Sequence, residues 1–464
     1  MTRFDLIVIG AGPAGMSAAA IAAEGGLRVL LLDEQPRAGG QIYRDVGQQR
    51  GATDWLGAEY GAGHRFVAAL DHPGITAQFG ATVWRVEQAG PRVIWSQAGV
   101  SHVATAPHVL LASGAQERPV PFPGWTVPGV MSVGAAQILM KSAGMMPKDA
   151  VLAGSGPLLY LVAAQMIDAG SPPKAVLETQ TPGSMLRAVP YLPKALLGLP
   201  TLLKGLGLLR KIRAARVPRL TGVKQIRAEA DAAGLLAIAY RHKGRDATLT
   251  AALLLVHQGV IPSTHMSRSV GIPHVWNPAQ RAYQPVTDAW GGTAVAGLHV
   301  AGDGAGIGGA EAAAASGELA ALNILYHLGR ITADARLQRA SDARGRLARF
   351  RAIRPFLDAA YAPPTEILSP ADDTIICRCE SKTAGDLRQS LQEGATGYRQ
   401  VKTSLRIGMG PCQGRMCDAT VRGILSASGA GEAQPIAAPR ARTPIKPVTL
   451  GELAALAPDQ APPG

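Results

Sequence analysis

Outside one short window, this 464-residue chain has no cysteine: all four lie between positions 377 and 417. The first 376 residues therefore have no disulfide staple, no thiolate nucleophile and no thiol relay. Aromatic residues are scarce, at 5%, which removes the stacking platforms that hold single-stranded bases. Acids are in deficit, 33 against 46 Lys and Arg, for a net charge of +13. A basic surface could face nucleic acid, an anionic membrane or an acidic protein; the charge is read as compensation of bound anionic groups plus an acidic partner, and nucleic acid is not expected. Long unbroken apolar runs are missing too. The uncharged, largely apolar stretch from Ala150 to Ile167 is cut by Gly154-Ser155-Gly156-Pro157, which predicts a buried strand, a turn and a buried helix instead of a span. The opening MTRFDLIVIGAGPAG has too short an apolar run for a signal peptide, and the expected compartment is the cytoplasm.

The cysteines that are present form two close pairs, Cys377-x-Cys379 and Cys412-x4-Cys417, separated by thirty-two residues. Two such loops can converge on one centre. Disulfides are the weakest reading, because a bridge within Cys-x-Cys is strained. Zinc knuckles favour Cys-x2–4-Cys, so a [2Fe-2S] cluster held by Cys377, Cys379, Cys412 and Cys417 is preferred over structural zinc.

Glycine is abundant, with 55 residues, and three of them open the chain's first motif. An apolar strand from Phe4 to Ile9 runs into Gly10-Ala11-Gly12-Pro13-Ala14-Gly15, followed by an alanine-rich helix and a second strand ending in Asp33-Glu34. Gly10 makes the tight turn, Gly12 admits a pyrophosphate to the backbone, and Gly15 lets helix and strand approach. The helix N-terminus then holds the phosphates. Asp33 stands where an acid accepts from the adenosine ribose hydroxyls, with Glu34 the nearest rival. Far downstream, Gly297 to Gly302 reads as another strand ending in Gly302-Asp303, before a helix beginning at Gly309 and Ala310.

These segments resemble flavoproteins of the glutathione-reductase and thioredoxin-reductase type, in which such an aspartate binds the ribityl chain of FAD. Gly39-Gly40-Gln41, Val83, Ala112-Ser113-Gly114 and Gly259 to Pro262 join the same resemblance. It implies an FAD site made of Gly10, Gly12, Pro13, Ala14, Gly15, Asp33, Glu34, Gly40, Gln41, Val83, Ala112, Ser113, Gly114, Gly302, Asp303, Gly309 and Ala310. A second unit of this kind starts at Ala150, turns through Gly154-Ser155-Gly156 and ends its next strand at Glu178. In flavin reductases this unit holds NAD(P)H, and Glu178 would favour NAD. Leu159 replaces the third glycine, and the preferred reading is a fold that has lost its nucleotide.

The cysteine segments Thr374 to Glu380 and Met409 to Cys417 resemble the small helical [2Fe-2S] domain related to bacterioferritin-associated ferredoxin. Leu387 to Leu391 and Ala419 to Leu425 would supply its helices, and Arg378, Lys402, Arg406 and Arg415 would temper its charge. The expected fold class is α/β, with two Rossmann-like dinucleotide-binding domains, one inserted in the other, plus this helical domain. Residues 1–148 and 261–330 would form the FAD domain, 149–260 the inserted domain, 331–370 a helical linker, 371–430 the cluster domain and 431–464 an arm.

As a set, with Asp33 to Arg44 and Gln116 to Trp125, these motifs are similar to the α-type subunit of hetero-oligomeric amino-acid dehydrogenases, a family that includes opine oxidases, D-hydroxyproline and proline dehydrogenases and hydrogen cyanide synthase. The resemblance implies an electron-transferring subunit with FAD and a [2Fe-2S] cluster. Substrate would be oxidised in a flavoprotein β subunit of the D-amino-acid-oxidase type, sometimes with a small ferredoxin-like γ subunit. The bound cofactors would offset part of the positive charge. No catalytic base is assigned; His257 and His299 read as packed strand histidines. The alternative is a self-contained NADH-dependent flavin reductase feeding its own cluster. One further segment stands apart: Ser184 to Leu220 carries eight Lys or Arg and no acid, with Leu202, Leu206, Leu209 and Ile212 at helical spacing. A helix docked on its own protein or on a partner is expected there, and membrane contact, if any, is peripheral.

Overall fold

The computed structural model describes residues 2–47, 54–88, 90–429, 436–437 and 439–456. Its first sheet holds five parallel strands in the order Leu298–Val300, His108–Leu111, Leu6–Ile9, Val29–Asp33, Ile75–Phe79. The central strand, Leu6–Ile9, is buried along its length. A near-continuous apolar run is what a strand covered on both faces requires. One face carries the helices Pro13–Glu24 and Ala310–His327, which cross so closely that a Cβ on Gly317 would lie 2.0 Å from the Ala14 carbonyl oxygen. The other face is covered by the sheet of Thr82–Glu87, Arg92–Gln97 and Val100–Thr105, packed around Val83, Trp95 and Leu111.

A second five-stranded parallel sheet contains Val130–Ser132, Leu253–Gln258, Ala150–Ser155, Ala175–Glu178 and Arg219–Thr221, in that order. Its core is aliphatic, with Leu152, Leu159, Val176 and Leu255 excluded from solvent. The stretch Ala150 to Ile167 becomes a fully buried strand and the helix Pro157–Asp168. Within the expected helical linker lie the helices Ala333–Arg339 and Ser341–Ala360, the latter packed on both the first lobe and the segment Pro182–Ala214.

The cysteine region folds as the hairpin Ile375–Cys377 with Lys382–Thr383, followed by the helices Ala384–Gln392, Tyr398–Leu405 and Asp418–Ala427. Residues after Ser428 are not wholly a free arm. Ile445 is buried against the first lobe, its N–H donating to the Trp84 carbonyl at 3.0 Å.

Candidate functional site

The carboxyl ends of the first sheet's strands open onto one crevice, at the point where neighbouring strands leave in opposite directions. Two helices direct uncapped N-termini into it. Gly12 precedes Pro13–Glu24 and Gly309 precedes Ala310–His327, and neither helix has a side-chain cap. Their first N–H groups are therefore available to an anion. The glycines differ in their surroundings. A Cβ on Gly15 would lie 1.8 Å from the Gly10 oxygen, and one on Gly10 2.4 Å from the Ala112 oxygen. A Cβ on Gly12 would meet only the Gly40 Cα, at 3.9 Å. Gly10 and Gly15 are required by packing, while Gly12 borders open space.

The remaining expected residues gather around this turn. Asp33 accepts from the Ala11 N–H at 2.6 Å and the Gln35 N–H at 2.8 Å. Burial raises its pKa, and those two donors oppose the shift. Glu34 turns outward to Lys446, at 2.7 Å, which makes Asp33 the acid of the crevice. Val83 lies two residues beyond Ala81, whose N–H is held by the Asp33 carbonyl at 2.8 Å; its own side chain is buried. Ala112 donates to the Ile9 carbonyl at 2.9 Å, and Ser113 Oγ to the Ser263 carbonyl at 2.9 Å. Gly304 packs on Ser113 and Gly114, bringing the Gly302-Asp303 turn alongside. Asp303 accepts from the N–H groups of Gly308 at 2.8 Å and Gly309 at 3.0 Å, and burial raises its pKa.

Two cations at the Gly39–Gln41 turn were not singled out in the sequence. Lys141, buried, donates to the Gln41 carbonyl at 3.2 Å and the Ile42 carbonyl at 2.9 Å; burial pushes its pKa down to about 7. Arg44, also buried, reaches Gln35 and, at 3.4 Å, Gln41 Oε1. Lys141 belongs to no motif and is brought there by tertiary structure, while Arg44 ends the stretch Asp33 to Arg44 and reaches Gln41 three residues away.

The second glycine turn has a different environment. A Cβ on Gly154 would collide with the His257 oxygen at 1.7 Å, and the His257 ring lies 3.2 Å from the corresponding point on Gly156. His257 Nδ1 pairs with Glu117 at 2.6 Å. Leu159 is wholly buried among Leu152 and Leu255. Glu178 is 0% exposed and ion-paired to Arg219 at 3.0 Å. Tyr160 lies beside it and is packed in turn against Tyr361, so the carboxylate read as a ribose ligand faces protein.

The four cysteines are free thiols brought together in two contacts, Cys377 with Cys417 and Cys379 with Cys412. Among the described residues no three Cys, His, Asp or Glu are already gathered about one metal position. Cys412 also lies near enough to act on Cys417, so the four thiols share one locality, as a [2Fe-2S] cluster with four thiolate ligands requires. Cys377 also accepts from backbone N–H groups of Gly408, Glu380 and Cys379, and with the Cys417 contact foremost its pKa falls to about 6. Of the expected cations, Arg406 is ion-paired to Glu380 at 3.0 Å and Arg378 stacks on Trp125, 5.4 Å from the ring centre. Those two are engaged with neighbours, and Arg415 instead tethers the loop to the Ile445 carbonyl.

This cysteine loop rests on the rim of the crevice. Gln116 Nε2 donates to the Arg415 carbonyl at 3.0 Å, and His265 Nε2 meets the Gln413 carbonyl at 2.9 Å. Beneath it, Arg268 pairs with the buried Asp418 at 2.5 Å, and the Tyr398 hydroxyl donates to the same carboxylate at 2.5 Å.

A dinucleotide crevice joined to a four-cysteine domain defines an FAD- and iron–sulfur-containing oxidoreductase. Residues 4–318 match the pyridine nucleotide-disulphide oxidoreductase family, and residues 375–427 the BFD-like [2Fe-2S] binding domain. FAD and a [2Fe-2S] cluster are its cofactors. The chain is 45% identical to the opine oxidase A subunit of Agrobacterium tumefaciens (strain Ach5), over 98% of this chain and 92% of that protein. It is 34% identical to the hydrogen cyanide synthase protein HcnB of Pseudomonas protegens, over 89% of each. L-proline dehydrogenase from P. horikoshii shares the fold, with a TM-score of 0.72 and 20% identity over 98% of this chain and 80% of that one. The chain belongs to the family that contains HcnB and the opine oxidase A subunit.

Proposed function

We propose that the chain is the electron-transferring α-type subunit of a hetero-oligomeric dehydrogenase acting on an amino acid or amine, in the cytoplasm. Its partner would be a flavoprotein β subunit of the D-amino-acid-oxidase type that carries out substrate oxidation. When bound, FAD supplies two-electron chemistry that can be divided into single steps, and the cluster accepts electrons singly. In this reading Gly12, Gly40 and the N-terminus of the helix Pro13–Glu24 would receive the pyrophosphate, Asp33 the adenosine ribose, Asp303 the ribityl chain, and the helix N-terminus at Gly309 the flavin pyrimidine ring. Gly10, Pro13, Ala14, Gly15, Gln41, Val83, Ala112, Ser113, Gly114, Gly302 and Ala310 shape the same crevice, and Cys377, Cys379, Cys412 and Cys417 hold the cluster.

The observation that carries the proposal is the docking of the 412–417 loop on Gln116 and His265, beside the crevice. No cysteine lies elsewhere to serve as a disulfide relay. The enclosed Glu178 and the buried Leu159 favour a second unit without a nucleotide over an NADH-dependent reductase. The substrate class that fits the relatives is a cyclic or N-substituted amino acid such as an opine or D-hydroxyproline.

The test is to purify the chain alone and measure bound FAD, iron and amino-acid oxidation. We expect FAD and two irons with negligible turnover until the β subunit is added. Substantial turnover by the isolated chain, or bleaching of its flavin by NADH under anaerobic conditions, would overturn the reading.

A further inference from the structure

The segment 182–214 takes no part in either cofactor site, yet it has the most unusual surface of the molecule. Among the described residues it is the one stretch long and apolar enough to cross a membrane by length and composition, with a mean hydropathy of 1.3 in its most apolar window. It does not form a single straight helix. Pro190, Pro193 and Pro200 divide it into Pro182–Ala188, Val189–Tyr191, Leu192–Ala195, Leu196–Gly198 and Leu199–Ala214. One face is fixed to the protein. Ala188, Ala195 and Ile212 are buried, and Gly198 sits against Ile353 of the helix Ser341–Ala360, where a Cβ would lie 3.2 Å from the Ile353 Cβ. A segment tethered along its length cannot span a bilayer; it can only lie on one.

The outward face is apolar to a degree that water does not favour. Ten large apolar side chains between Met185 and Leu206 are exposed, Leu186 by 72% and Leu197 by 66%. A contiguous patch of this kind marks an interaction surface. Its composition distinguishes among partners. Nine of the ten are aliphatic or Met, and Tyr191 is the lone aromatic, whereas the centres of protein interfaces are enriched in aromatics. Ser184 to Leu220 contributes eight cations and no acid. Lys204, Lys211 and Arg219 are matched by Glu59, Asp168 and Glu178 of neighbouring elements. Arg187, Lys194, Arg210, Arg213 and Arg216 have no ion pair among the described residues.

Exposed leucines with Arg187 and Lys194 among them, followed by the unpaired Arg210, Arg213 and Arg216, are the features that seat an amphipathic segment in the headgroup region of an anionic bilayer. We propose that residues 182–214 form a peripheral membrane-docking surface for anionic lipid, which holds the enzyme on the bilayer without crossing it.

The experiment is co-sedimentation of the full-length holoprotein with vesicles of phosphatidylcholine alone, or with about a quarter phosphatidylglycerol. Partition into the anionic vesicles is expected to exceed that into neutral ones by at least ~tenfold at low salt, and to weaken as screening increases. The triple variant L186S/L197S/L203S should lose vesicle binding while its flavin absorbance and melting temperature stay unchanged. The variant K194E/R213E should lose only the preference for anionic vesicles. The proposal is overturned by absent or equal partition, or by undiminished binding of the triple variant. It is equally overturned if the leucine substitutions abolish self-association in lipid-free light scattering, because a second copy of the chain would then be what covers the face.

Discussion

At the residue scale, the two glycines at positions 12 and 15 separate folding from binding. A methyl group on Gly15 has nowhere to go, since it would lie 1.8 Å from the Gly10 oxygen. The same group on Gly12 would touch only Gly40, at 3.9 Å, and would fill the space that a pyrophosphate needs. Gly12→Ala should therefore melt as the wild-type apoprotein does and bind FAD at least ~tenfold more weakly, read by flavin fluorescence on titration. Gly15→Ala should lower the melting temperature of the apoprotein itself. The cysteines make a second residue-scale case. Cys377 and Cys417 are both buried and in contact, so Cys377→Ser should strip iron and visible charge-transfer absorbance while FAD content remains. Retention of two irons in that variant would exclude Cys377 as a ligand.

At the scale of elements, the helix Asp418–Ala427 is held to the first lobe by a buried charge. Arg268 and Asp418 are about one-tenth exposed and 2.5 Å apart, and Tyr398 supplies another hydrogen bond. Removing one partner leaves the other charge buried and unpaired. Arg268→Met should therefore cost about 3–5 kcal/mol in denaturant unfolding, more than an exposed pair such as Arg346–Asp342 would. The opposite end of the flavin sheet has a pH-dependent element. His299 is buried beside His108, at 3.1 Å, with His327 and Asp288 nearby, and burial lowers its pKa to about 4. The unfolded chain takes up that proton first, so stability is complete above pH ~6.5 and is lost as pH falls toward 4, by up to about 3 kcal/mol. His299→Gln should flatten this acid loss, measured as the difference between unfolding free energies at neutral and mildly acidic pH.

The elements that depend on local pattern were legible in the sequence: the strand–glycine turn–helix units, Asp303 at a strand end, and two helices of the cysteine domain. The helix Tyr398–Leu405 was missed although Tyr398, Val401 and Leu405 stand at helical spacing, because it is only eight residues long and starts directly after Gly397 with no side-chain cap. Leu206 was expected on the inward stripe of its helix but is 51% exposed, because Leu208 and Leu209 are the leucines that pack on the core. Lys141 carries no motif, and Arg44, though it ends the stretch Asp33 to Arg44, has no spacing that announces its contacts. They reach the Gly39–Gln41 turn across about a hundred residues or through a loop whose path no periodicity encodes.

For the whole molecule, the proposed function rests on two similar units whose glycine turns have different surroundings. In the first, the acid closing the second strand faces the glycine turn, and both helix N-termini are open. In the second, Glu178 is tied to Arg219, Tyr160 and Tyr361 cover it, and Leu159 fills the core where a third glycine would bring helix and strand together. The contacts that join the cysteine loop to the crevice span 299 residues between Gln116 and Arg415, and no local pattern announces them. The closure of the second unit is likewise built from several elements, which leads to a definite expectation. Leu159→Gly restores the glycine spacing but removes a wholly buried leucine from an aliphatic core, and should cost at least about 2–5 kcal/mol. It should not make the flavin reducible by NADH, because Glu178 would still face Arg219 beneath the tyrosines. Anaerobic mixing followed at the flavin absorbance maximum distinguishes the outcomes. If bleaching appears in the variant, one side chain would have been the whole barrier, and the closure contributed by Arg219 and Tyr361 would count for nothing.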